Sequence, residues 1–116
     1  MNDKIISETK ALVDKIKKSQ EYIDYLNYRS ILERNSELLR ETEQFRRKYF
    51  EIQMSHQYGA FNAYENLIAL RQESEAVLSD PVVKAFLDAE LNLSKLLAGV
   101  YDTIAENIHF DIRFLD

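Results

Sequence analysis

The 116-residue chain has no cysteine, one proline and two glycines. Without cysteine there can be no disulfide, thiolate nucleophile, zinc–thiolate site or cysteine-ligated iron–sulfur cluster. Scarce glycine and proline argue against strand-and-turn architectures, which need punctuation at each reversal. No run of eighteen apolar residues is available to span a bilayer. The opening MNDKIISETKALVDKIKK carries charges every few residues and no apolar h-region, so it does not read as a signal peptide. The expectation is a soluble, cytoplasmic chain with no membrane insertion. Glycine-rich phosphate loops, Gly-x-Ser-x-Gly elbows and His-Glu-x-x-His helices are also missing. Neither an enzyme nor a cofactor is expected.

Charge is unevenly spread. The net value is -5, and residues 59–116 hold 4 basic against 10 acidic groups, whereas residues 1–35 hold 7 against 6. A chain that grips nucleic acid by itself usually presents a basic stripe. An acidic second half disfavours strong direct binding to DNA or RNA.

What the chain does have is helical periodicity. In SELLRETEQFRRKYFEIQMSH, Leu38, Phe45, Tyr49 and Ile52 recur at steps of 7, 4 and 3 and form one stripe. Further on, Val83, Phe86, Leu93, Leu97, Val100, Ile104 and Ile108 do the same, with Leu87 and Leu91 widening the stripe. With 46% apolar residues the chain can bury a core. The predicted fold is all-α: a single domain over residues 1–116, an antiparallel bundle of about five helices near 3–18, 19–35, 36–56, 60–78 and 81–108, and a short tail over 109–116. Ser19 and either Asn35 or Ser36 are candidate N-caps, and Gly59 a break.

The one proline follows Asp80. An Asp at the N-cap accepts a hydrogen bond from free first-turn amides, and proline at the first helical position loses no needed N–H. Asp80 and Pro81 are therefore read as helix-capping residues that open the longest helix, about 42 Å at 1.5 Å per residue. Four shorter helices cannot easily cover both sides of such an element. A homodimer is expected to cover the rest.

Two constellations invite functional readings. Glu106 and His109 form the Glu-x-x-His pair used by di-metal bundles, but that chemistry needs a second pair and two more inward carboxylates. The other histidine, His56, has Gln53 three residues before it, so the set is incomplete. A metal-binding, ferritin-like protein using Glu106, His109 and His56 is the alternative reading, and no metal site is expected. In QFRRKYFE, Arg46, Arg47, Tyr49 and Phe50 form a candidate protein-interaction patch. The competing reading is a solvated face on which Glu43 and Glu51 pair with Arg47 four residues away. Seven tyrosines add amphipathic side chains suited to half-buried contacts.

The order EQFRRKYFEIQ, then SDPVVKAFLDAELNLSKLLAGVYDTIAENI, resembles the bacterial YlbF/YmcA family from about Ile5 to Ile108. The resemblance implies an all-α fold, self-association and no catalytic activity. It implies a regulatory adaptor in competence, sporulation or biofilm control. Its implied partners are other regulatory proteins, including a ribonuclease-associated complex. Some members use cysteines to help bind iron–sulfur clusters in that complex, and this chain has none to contribute.

Overall fold

In a computed structural model, which describes residues 2–57, 59 and 62–108, the chain is all-α as its punctuation suggests. The elements are α1 (Asp3–Lys17), α2 (Gln20–Glu33), α3 (Ser36–Gln57), α4 (Ala63–Glu73), α5 (Glu75–Leu78) and α6 (Pro81–Asn107). No strand occurs among the described residues. Nor is any described helix long and apolar enough to cross a membrane.

Side-chain caps mark most of the helix starts. The Asn2 Oδ1 accepts from the Lys4 and Ile5 amides at 3.0 and 3.2 Å. Ser19 bridges two helices, its hydroxyl donating to the Ile16 carbonyl that ends α1 and accepting from the Tyr22 amide that starts α2. Asn35 caps α3 through the Leu38 amide at 3.1 Å. Asp80 Oδ1 accepts from the Val82 and Val83 amides at 2.8 and 3.3 Å, and Pro81 occupies the first position of α6. Each cap satisfies an amide with no partner inside its own helix.

One expected element divides. The fourth helix, read over about 60–78, begins at Ala63 and breaks at Ser74, whose φ of -100° and ψ of 10° leave the helical region. Ser74 lies in the polar run Gln72–Glu75. Serine is a weak helix former because its backbone and hydroxyl find other partners easily. Its amide still donates toward the Leu70 carbonyl, so the chain bends without losing the bond. The reset keeps Ala63, Leu70 and Val77 buried. Ahead of α4, Gly59 takes a φ of 88°, which an L side chain adopts only with strain. A Cβ there would meet no atom within 4 Å, so the demand is on dihedral angle and not on space.

The chain forms two compact units, one from residues 26–87 and one from the described residues up to Tyr25 together with those from Asp88 on. Helices α2 and α6 contribute to both. The first unit holds most of the core. In it α3 packs along α4, α5 joins both, and Leu32, Val83 and Phe86 are fully buried. Burying each such side chain is worth about 1.5–3 kcal/mol. Thr42, the one buried polar residue among the described residues, donates its hydroxyl to the Leu38 carbonyl at 2.8 Å and leaves nothing unsatisfied. The second unit is thinner: α1 has no buried residue, and Ala89 of α6 is its one buried apolar side chain among the described residues.

Removing the α6 cap leaves the Val82 and Val83 amides without their acceptor. Asp80→Ala is expected to lower unfolding stability by about 1 kcal/mol, and Asp80→Asn by far less, since both Asp and Asn cap well. Urea denaturation of the three proteins measures this; equal midpoints for wild type and Asp80→Ala would contradict the capping role.

Candidate protein-interaction site

The sequence cluster Arg46–Phe50 lies on α3, where neighbouring residues point about 100° apart. The fold therefore separates its members. Arg46 and Tyr49 are half-buried, and Arg47 and Phe50 are exposed, Phe50 by 60%. Tyr49 stacks at a tilt on Phe45, four residues earlier, with ring centroids 5.9 Å apart. Arg46 turns toward α6, placing its guanidinium carbon 5.6 Å from the centroid of the buried Phe86 ring. The outward half of the cluster is an arginine beside an exposed phenylalanine, an arrangement suited to anchoring a protein partner.

Arg46 shares its ring. Arg29 of α2 also lies over Phe86, at 5.9 Å. Its Nε donates to Glu33 Oε1 at 2.8 Å and its Nη2 to Glu43 Oε1 at 3.1 Å, tying α2 to α3. The hydrogen bond to Glu33 is the main reason the Arg29 guanidinium is held above its ordinary range. Partial burial opposes this, and Glu43 adds to it by hydrogen bond and charge. A cation held above its unfolded value contributes stability that is fully present below that value and lost only in strong alkali. Arg29 is thus a permanent charge in this network. Sequence reading did not single it out, because what marks it is the ring on α6, distant in sequence.

The candidate metal ligands do not assemble among the described residues. His56 is exposed near the end of α3, Glu106 is exposed near the end of α6, and His109 lies outside the described residues. No group of three histidine, aspartate or glutamate side chains able to hold a metal occurs among the described residues. A polar cleft does exist where Gln20, Glu21 and Asp24 of α2 face Asn92 and Lys95 of α6. It is wide open to solvent.

The larger uncovered features are apolar. On α1, Ile5, Leu12 and Val13 are exposed. On α6 the stripe that buries Val83 and Phe86 gives way to an exposed one, with Leu91 at 52% and Tyr101 at 69%, and Ile108 just past the helix end at 57%. The signal in the sequence was Leu91, which widened the α6 stripe beyond what one partner face can cover. These apolar side chains in water make the two helices candidate contact regions.

The Phe86 network yields a measurable coupling. Phe86→Leu keeps much of the buried volume but removes the ring, and Arg46→Ala is expected to cost about 0.5–1 kcal/mol less in that background than in wild type. A double-mutant cycle by chemical denaturation reads the difference; a coupling of zero would mean the arginine is only a neighbour of the ring.

Comparison with known proteins adds a family. The family model described as "Control of competence regulator ComK, YlbF/YmcA" matches residues 5–109. A UPF0342 protein of Caldicellulosiruptor bescii is similar, 24% identical over 99 residues that cover 85% of this chain and 83% of that protein. No solved structure matches the chain at a significant level.

Proposed function

We propose that this chain, which belongs to the YlbF/YmcA family of competence control, is a non-enzymatic helical adaptor acting through protein–protein contacts. In this reading it is a cytoplasmic homodimer within a regulatory complex, with ribonuclease-associated assemblies among its candidate partners. The observation that carries the reading is the exposed apolar surface of α6, on a helix whose first turns are rooted in the core. A small helical chain that leaves Leu91, Tyr101 and Ile108 in water is built to have them covered. The charge balance agrees. The acidic second half of the sequence suits protein surfaces better than phosphate backbones.

Two surfaces divide the work. The α6 stripe serves self-association, and Arg47 with Phe50 on α3 serves a different protein. Arg47 and Phe50 are preferred over Arg46 and Tyr49 as anchors because the latter pair is occupied with Phe86 and Phe45. Interface hot spots are enriched in arginine and aromatic residues that combine a large contact area with polar or charged reach.

Light scattering coupled to size exclusion at micromolar concentration is expected to give a dimer mass, and a monomer mass would remove the self-association half of the reading. Affinity purification from the native cells tests the other half. The Arg47→Ala/Phe50→Ala protein is expected to keep its fold and its dimer mass and to lose the partner recovered with wild type. Identical recovery by both proteins would assign the partner elsewhere.

A further inference from the structure

We infer that α6 pairs antiparallel with α6 of a second copy, centred on Ala98, with Leu91 of each chain set against Ala105 of the other and Tyr101 against Ser94. This rests on the self-association reading and specifies its interface and register. Four observations converge on it.

The first is exposure. Leu91, Ser94, Ala98, Tyr101, Ala105 and Ile108 fall at steps of 3, 4, 3, 4 and 3, a coiled-coil seam, and every one of them is exposed. The neighbouring face, with Leu93, Leu96, Leu97 and Val100, is half-buried and is covered by the chain itself. The seam is therefore a second face of α6.

The second is size. Along the seam the side chains run large, small, small, large, small, large, and a two-fold axis at Ala98 sets a large residue against a small one on either side of it. Antiparallel pairing puts leucine on alanine, tyrosine on serine and, at the two-fold axis, alanine on alanine. A parallel pairing would set Tyr101 against its own copy and Ser94, Ala98 and Ala105 against theirs, alternately crowded and hollow. Close packing disfavours both conditions. Small residues at three of the six positions let the helix axes approach closely enough for the tyrosine and leucine to interdigitate.

The third is charge. Lys95 and Asp102 are exposed on the same flank of the seam, one position after Ser94 and Tyr101. In the antiparallel register the flank positions of the two helices face each other. Lys95 of each copy then meets Asp102 of the other, giving two symmetry-related ion pairs around the Ala98 axis. The fourth is symmetry. A two-fold contact must use one patch that complements itself, and this seam satisfies that requirement.

The absence of cysteine makes the test clean. Ala98→Cys protein, oxidised at micromolar concentration, is expected to form a covalent dimer, because the two positions meet at the axis within disulfide reach. Ala105→Cys alone is expected to stay uncross-linked, since its copy lies about 21 Å away along the pair. An equimolar mixture of Leu91→Cys and Ala105→Cys proteins is expected to form the mixed dimer. A cross-link from Ala105→Cys alone would establish the parallel arrangement and overturn the proposal. No cross-link from Ala98→Cys in a protein that still scatters as a dimer would place self-association on another face. A wild-type monomer would remove both the register and the reading it rests on. As a second measure, Lys95→Asp is expected to weaken self-association about tenfold and Lys95→Asp/Asp102→Lys to restore it. Both substitutions are at exposed positions, and circular dichroism checks that the helices persist. Weakening without restoration would mean that the two side chains do not meet.

Discussion

Phe86 is where the larger unit is held together. Its ring is fully buried, and two guanidiniums from different helices lie over it within 6 Å. A buried aromatic removes about 150–250 Å² from water, so the ring alone would fix α6 in the core. The arginines add direction. Arg29 also grips Glu33 and Glu43, so α2, α3 and α6 meet in one network of hydrogen bonds, charge and ring contact. Val83, one turn earlier on α6, and Leu32 on α2 complete the apolar side of the same junction. The guanidiniums lie over the ring yet remain partly open to water, which limits the desolvation that a fully buried charge would suffer.

Burial declines along α6. Its first turns carry Val83, Phe86 and Ala89, all buried, and its last turns carry Tyr101 and Ile104, both exposed, with Ile108 exposed just beyond them. The sequence does not change character to match, because apolar residues continue at helical spacing through both halves. The face that carries Val83, Phe86 and Ala89 and the exposed face that carries Leu91 and Tyr101 are neighbouring sides of one helix.

The all-helical class was legible because two glycines and one proline leave few places to turn, and because leucine, isoleucine and phenylalanine recur at steps of three and four. The division at Ser74 was not, since a serine among Gln72, Glu73 and Glu75 looks like any exposed helical serine. Only its dihedral angles show the break. The Arg46–Phe50 cluster could be found as a composition but not sorted into inward and outward members. Arg46 turns inward because Phe86 waits on a helix forty residues later, and a local pattern carries no trace of a partner that distant. Arg29 escaped notice for the same reason.

Helix α1 differs from the others in what maintains it. It has an Asn2 cap at one end, the Ser19 hydroxyl on the Ile16 carbonyl beyond the other, and no buried residue between. Fifteen residues is about the length at which an isolated helix is marginal in water. Only Ile6 and Ile16 are half-buried, so the caps matter more to this helix and tertiary packing protects its amides less than in the helices with buried residues. In hydrogen exchange it is the described helix with the least to lose on opening. A binding partner that covered Ile5, Leu12 and Val13 would then act on a folding equilibrium as well as on a surface. Part of its affinity would go into ordering the segment it recognises.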